Sequence, residues 1–133
     1  MKIVSASGKR KRAIARVTLR QGKGIIRINN ALLENYSPEL SKMKIMEPIL
    51  LAGDSAGKVD IDVSVSGGGV TSQAEASRLG IAKGLSEFSK SDKLKKAFLE
   101  YDRSLLVADV RRKETRKPNR HGKARAKRQK SYR

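Results

Sequence analysis

The sequence contains no cysteine and a single histidine, His121. It therefore supports neither a disulfide framework nor a zinc cluster, and we expect no metal and no cofactor. Aromatic residues are scarce, with two Phe, three Tyr and no Trp, which argues against modules that stack RNA bases on aromatic platforms. Neither a signal-peptide core nor a run of the ~18 apolar residues needed to span a bilayer is present. We expect a cytosolic protein without a membrane partner.

Acidic residues are also few, and their placement divides the chain. The net charge is +18. Residues 1–20 contain seven basic and no acidic residues, residues 21–110 contain twelve of each, and residues 111–133 contain twelve basic residues and one acidic residue. The surplus charge thus lies at the two ends, a distribution typical of a nucleic-acid-binding protein. We predict a globular domain at residues 1–110 and an extended basic arm at residues 111–133.

The arm has almost no apolar surface to bury, so it cannot fold alone against a backbone entropy cost of roughly 1–2 kcal/mol per residue. A polyanion can order it, because neutralised phosphates release counterions. The alternative is a solvated basic terminus or a localisation signal. We favour the nucleic-acid arm because the run is long, Pro118 and Gly122 oppose a simple helix, and Arg outnumbers Lys within residues 111–133. The candidate cations are Arg111, Arg112, Lys113, Arg116, Lys117, Arg120, Lys123, Arg125, Lys127 and Arg128, followed by Lys130 and Arg133.

The second basic segment opens the first predicted strand, residues 12–20. Small apolar side chains alternate there with longer, mostly cationic ones, so one strand face is expected in the core and the other outside. The alternative to RNA contact by this outer face is a solvated sheet surface. The candidate RNA-binding residues of this region are Lys9, Arg10, Lys11, Arg12 and Arg16.

The remaining pattern predicts an α+β fold with a mixed sheet and helices packed on one of its faces. Residues 21–24 are expected to form a tight turn that leads to a second strand at 24–29, so that this strand and the first one form a hairpin. A helix capped by Ser37, with Leu40, Met43 and Met46 as its apolar stripe, should be broken by Pro48. Further elements are expected as strands at residues 59–66 and 105–110, and as helices at 71–88, capped by Thr71 or Ser72, and at 93–101, capped by Ser91 or Asp92. Gly80 and Gly84, one turn apart in the helix at 71–88, are expected to let it lie close to the sheet.

A glycine triplet, Gly67, Gly68 and Gly69, joins the strand at 59–66 to the helix after it. No Gly-Lys-Ser/Thr sequence follows the triplet, so a nucleotide-hydrolysing phosphate loop is not indicated. Two interpretations stay open: bare amides at a helix N-terminus that approach an RNA phosphate, or a tight turn that needs positive φ. Asp60 and Asp62 share a strand face, but no further His, Cys or carboxylate cluster supports catalysis there.

Three blocks of the sequence resemble the universal family of small-subunit ribosomal protein nine. They are GKRKRAIARV at residues 8–17, SGGGVTSQAEASRLGIAKGL at 66–85, and DRSLLVADVRRKETRKP from residue 102 with the terminal QKSYR. The ending is similar to that of the archaeal branch. One departure is the stretch Pro118-Asn119-Arg120-His121-Gly122-Lys123, where related archaeal tails usually carry Tyr-Gly-Gly.

The resemblance implies a structural protein of the small-subunit head that binds the 3′ major domain of small-subunit ribosomal RNA, beside other head proteins. It further implies that the tail reaches the peptidyl-site transfer RNA, with Arg133 closest and Lys130 behind it. A left-handed β-α-β crossover is also implied, against the usual right-handed preference. The alternative function is a non-ribosomal basic nucleic-acid-binding protein. An enzyme is the least supported class.

Overall fold

The computed structural model describes residues 2–36, 38–118 and 124. Over this part of the chain, five strands form one mixed sheet in the order β1-β2-β5-β3-β4. The β3–β5 pair is parallel and the other pairs are antiparallel. The predicted α+β class with a mixed sheet is confirmed. The strands are β1 (Ile3–Arg10), β2 (Ala13–Gln21), β3 (Ile26–Ile28), β4 (Ala31–Leu32) and β5 (Val59–Ser66).

The helices within the described residues are α1 (Glu39–Ala52), α2 (Val70–Ser89) and α3 (Asp92–Tyr101). Helix α2 packs on β1 and β2, and α1 packs on α2. The alternation predicted for β2 and β5 is confirmed, because the inward side chains of these strands form the core while their outward side chains stay accessible. The core side chains of these strands are Ala13, Ala15, Val17, Leu19, Val59, Ile61, Val63 and Val65.

Glycines let α2 lie close to the sheet, as its sequence indicated. A Cβ on Gly80 would meet the Val17 Cγ2 methyl at 2.6 Å, and one on Gly8 would collide with the Ala76 carbonyl. This close approach also explains why β1 was missed. Its inward positions carry small residues where the helix crosses, so the strand lacks the alternation of bulky and polar side chains that marks β2.

The predicted hairpin between β2 and β3 is wrong, because β5 lies between them. The loop after Gln21 carries the chain across the end of β5. The Asp60 carboxylate accepts the amides of Lys23 and Ile25 at 2.9 and 3.1 Å, and the Gly22 amide donates to the Lys58 carbonyl at 2.9 Å. The apolar β5 strand thus takes the central position that local turn signals assigned to β3.

The predicted break at Pro48 is also wrong, since α1 continues through it to Ala52. Proline removes one helical donor, but here its ring is buried in the core, which offsets part of that loss. The stripe expected at Leu40 and Met43 is exposed, and Ile45 is buried instead. The predicted cap Ser37 lies outside the described residues.

Of the predicted starts of the other two helices, one is confirmed and one is wrong. Ser91 caps α3 as predicted, by accepting the Leu94 amide at 3.4 Å. Helix α2 instead starts at Val70 with Gly69 at the cap position, two or three residues before the predicted caps, so neither Thr71 nor Ser72 caps it. This start brings the glycine triplet directly to the first turn of the helix.

The strand predicted at residues 105–110 is wrong. A 3₁₀ turn spans Arg103–Leu105, and the chain then runs on to residue 118 with no strand among the described residues. Leu105 is fully buried, whereas Val110 is 85% exposed. The segment therefore leaves the core from a buried leucine rather than from a sheet.

Candidate nucleic-acid interface

Three segments that were predicted separately from the sequence as RNA-binding lie around one surface cleft of about 810 Å³. They are the turn between β1 and β2, the glycine loop before α2, and the start of the C-terminal segment. None of the described residues that line the cleft is acidic. We call it the cationic cleft, and its lining residues are Arg10, Lys11, Arg12, Gly68, Gly69, Ser72, Arg111, Arg112 and Lys113.

The β1–β2 turn presents its cations at the tip of a hairpin. Arg10 pairs with Ala13, so the turn consists of two residues, Lys11 and Arg12. Lys11 adopts a positive φ of 53°, which a two-residue hairpin requires and which a side chain other than glycine adopts at some cost. Both side chains are exposed. The tight turn thus projects two neighbouring cations away from the sheet.

The glycine loop serves as a tight turn at its first two positions. Gly67 and Gly68 have φ values of 80° and 65°, and a Cβ on Gly67 would collide with the Arg12 carbonyl. Gly69 differs, because its φ is −101° and a Cβ there would meet no atom within 4 Å. Positive φ is therefore confirmed for the first two glycines. Phosphate contact at this loop stays a prediction, and Gly69 leaves open space for it.

The outer face of the sheet adds two further predicted cations, Lys9 and Arg16, both exposed. Arg16 lies between Ser7 on β1 and Ser64 on β5, and among the described residues it makes no ion pair. A cation in such a position is available to an external phosphate. The strands place Lys9 on the same face, because it is two residues beyond Ser7.

Asp60 supports the loop before β3. Hydrogen bonds from the backbone amides of Ile25 and Lys23 hold the pKa of the Asp60 carboxyl below its ordinary value. It therefore stabilises the chain crossing rather than providing an acid or base. Among the described residues no cluster of acidic, His or Cys side chains fits a metal ion.

Arg10 is engaged within the domain. Its Nε donates to Glu75 Oε2 at 2.7 Å, and its Nη1 lies 3.0 Å from Asp109 Oδ2, as an ion pair without hydrogen-bond alignment. Lys44 also pairs with Glu75, at 3.5 Å. Arg10 therefore joins the hairpin to α2 and to the C-terminal segment. Because two carboxylates already balance its charge, Arg10 is less available to a phosphate than Lys11 or Arg12.

A second ion-pair centre, around Arg78, was not anticipated. This side chain is buried in α2 and contacts Glu47 of α1 at 2.6 Å and Asp102 at 3.1 Å, with a hydrogen bond to Ser104 at 3.1 Å. The Ser104 amide and then Arg78 lower the pKa of Asp102. The available signal was an arginine four residues after Ala74, on the inward side of the helix.

Only some of the predicted cations of the arm lie within the described residues. Residues 111–118 are all exposed, so their cations are accessible. The predicted residues beyond them are Arg120, Lys123, Arg125, Lys127, Arg128, Lys130 and Arg133, and these lie outside the described residues. Among the described residues, none of the helices combines the length and the hydropathy that a membrane span requires.

Comparison with known proteins gives a consistent result over the whole chain. A family model described as ribosomal protein S9/S16 matches residues 8–133. A protein of Methanothrix thermoacetophila, named small ribosomal subunit protein uS9, is 54% identical over 133 residues, with all of both chains covered. Proteins of the same name from Methanococcus maripaludis and Methanococcus vannielii are 51% and 52% identical over 134 residues, again with full coverage.

Proposed function

Because the chain belongs to the ribosomal protein S9/S16 family, we propose that it is a structural constituent of the small ribosomal subunit that holds ribosomal RNA through the cationic cleft. Members of the family are structural, non-enzymatic proteins of the cytoplasmic ribosome, where they lie beside ribosomal RNA and other ribosomal proteins. The sequence resemblance implies a position in the subunit head, and we include that position in the proposal.

The observation that carries the RNA-binding proposal is the convergence of three cationic or bare-backbone segments on one cleft, whose lining within the described chain contains no acidic residue. Such a surface attracts phosphate through counterion release and through Arg and Lys contacts. Contacts of this kind position a protein on RNA and do not read its sequence. The proposed ligands to ribosomal RNA in the domain are Lys9, Arg10, Lys11, Arg12, Arg16, Gly67, Gly68 and Gly69.

The arm extends the same surface. We infer that residues 111–133 form a functional unit separate from the domain at 1–110, and that they become ordered along RNA. In this proposal Lys130 and Arg133 contact the peptidyl-site transfer RNA, as the resemblance implies. Support comes from the exposed cations that continue from the cleft into the arm. The left-handed sense of the crossover between the parallel strands β3 and β5 stays a prediction.

Subunit incorporation tests the docking proposal. Lys11→Glu with Arg12→Glu reverses two exposed charges at the hairpin tip and leaves the ion pairs of Arg10 intact. We expect this variant to be depleted from small subunits on sucrose gradients, whereas Lys93→Glu with Lys96→Glu, exposed on α3, should be incorporated normally. Equal incorporation of the two variants would contradict the cleft as the docking surface. Recovery of the wild type with the nucleoid would favour a non-ribosomal nucleic-acid binder.

Removal of residues 129–133 tests the arm. Subunits carrying the shortened protein should assemble and should bind peptidyl-site transfer RNA more weakly, by about 1–3 kcal/mol at most. Gln129→Ala with Ser131→Ala is the matched control, because it changes the same segment and keeps every cation. Unchanged transfer RNA affinity in the truncated subunits would refute the role given to Lys130 and Arg133.

A further inference from the structure

The C-terminal segment has few apolar anchors after it leaves the core. Leu105 is fully buried and Leu106 is partly buried against the core. From Val110 to residue 118 every side chain is exposed. Apolar packing alone would therefore leave the arm free to swing from the region of Leu106. A second kind of contact is needed to give the arm a direction.

Asp109 provides such a contact on the domain side. Its Oδ2 atom lies 3.0 Å from Arg10 Nη1 at the end of β1. Arg10 is held in turn by Glu75 of α2, at 2.7 Å. The side chains of Arg10 and Asp109 are only 18% and 28% exposed, so bulk solvent screens their ion pair incompletely. The segment is thereby tied to the hairpin and the helix that border the cationic cleft.

Asp109 also fixes the chain on the arm side. Its Oδ1 accepts the backbone amide of Arg111 at 2.9 Å, and the Arg111 guanidinium forks onto both carboxylate oxygens at 2.7 to 3.1 Å. Arg112 donates from Nη1 to the carbonyls of Asp109 and Arg111, both at 2.9 Å. The Asp109 carboxylate thus connects the domain to Arg111, the first cation of the arm, while the backbone carbonyls of Asp109 and Arg111 hold Arg112.

We propose that Asp109 is a positioning residue that clamps the start of the C-terminal arm against the β1–β2 hairpin, so that the arm leaves the domain along the cationic cleft. The inference rests on the proposed RNA-binding function for its consequence and on the ion-pair geometry for its mechanism. An arm that leaves in a fixed direction loses less conformational freedom when it binds RNA. Asp109 therefore strengthens RNA binding although its charge has the sign that RNA repels.

That sign makes the proposal easy to test. If Asp109 were only a nearby negative charge, then Asp109→Asn would strengthen RNA binding. As a clamp, its loss should weaken binding of the full chain to a transcript of the small-subunit 3′ major domain, by about three- to tenfold. Asp54→Asn is the matched control, because Asp54 is exposed outside the cleft and its substitution changes the net charge equally. Tighter binding by Asp109→Asn, equal to that of the control, would overturn the proposal.

A second measurement needs no RNA, so it separates failure of the clamp from failure of the proposed function. The chain has no cysteine, so Lys95→Cys with Val110→Cys provides a clean pair of exposed spin-label sites, one on α3 and one directly after Asp109. The distance distribution should be narrow in the wild-type background and broad with Asp109→Asn. Glu75→Gln, which weakens the hold on Arg10 from α2, should broaden it as well. Equal widths in all three backgrounds would refute the clamp.

Discussion

Neutralising two cations of the cleft should change the salt dependence of RNA binding by a calculable amount. Arg12 and Lys113 are exposed, belong to different segments of the cleft, and make no ion pair with another described residue. The double variant Arg12→Gln with Lys113→Gln should therefore remove two of the proposed phosphate contacts with little effect on the fold. The variant Lys93→Gln with Lys96→Gln on α3 removes the same charge outside the cleft and serves as the control.

The expected magnitude follows from counterion release. Each lost phosphate contact reduces the slope of log K against log salt by about 0.7 for single-stranded and 0.9 for duplex nucleic acid. Two contacts reduce the slope by roughly 1.4 to 1.8. Extrapolated from 1 M salt, where this contribution vanishes, that corresponds to roughly 25- to 60-fold weaker binding at 0.1 M salt.

The assay is a titration of full-length protein against the 3′ major domain transcript from about 0.1 to 0.5 M KCl. The cleft variant should show the smaller slope, and the α3 control should keep most of the wild-type slope. If both variants lower the slope equally, RNA senses only the total charge of the protein. In that case the hairpin, the glycine loop and the arm do not act as one binding surface.

Three further predictions concern the fold that supports this surface, and urea unfolding measures each. Gly80→Ala should destabilise the protein by about 1–3 kcal/mol, because the added methyl meets a buried β2 side chain, whereas Gly57→Ala, with no atom within 4 Å of the new Cβ, should be close to neutral; a stabilising Gly80→Ala would contradict the close packing. Arg78→Met should cost about 2–4 kcal/mol by leaving Glu47 without its partner, and a loss below about 1 kcal/mol would show that the pair contributes little. Asp60→Asn should destabilise at neutral pH, and because the folded-state pKa of Asp60 is lowered, the difference from wild type should shrink as pH falls below about 4 and protonation removes the contribution; a difference independent of pH would show that the carboxylate charge is not involved.

Much of the architecture was readable because the central strands bury one face. A strand with a single core face must alternate, so the pattern identified β5 at its observed bounds, Val59–Ser66, and the inward residues of β2. Glycines at positions 80 and 84 likewise indicated a helix close to the sheet. The two cationic segments were evident from composition alone. Each of these features follows from local sequence and the period of an element.

Strand pairing was not readable, because it depends on contacts between distant segments. The sequence favours a hairpin between β2 and β3, yet β5 pairs with β2 in the structure and all four of its apolar inward side chains are buried there. Pro48 stays within α1 for the same reason, since its burial against the core offsets the missing hydrogen bond. Tertiary packing overrode the local signals in both cases.

By itself, the sequence determined that surplus positive charge lies at the ends of the chain, because charge is fixed by composition and no fold can move it along the chain. Only the tertiary structure decided that the hairpin tip, the glycine loop and the first arm residues lie around one cleft. It also decided that Arg10 and Arg78, which the sequence does not distinguish from the other cations, form ion pairs within the domain. Whether an arginine meets a phosphate or a carboxylate depends on which distant segment the fold brings within about 3 Å of its guanidinium.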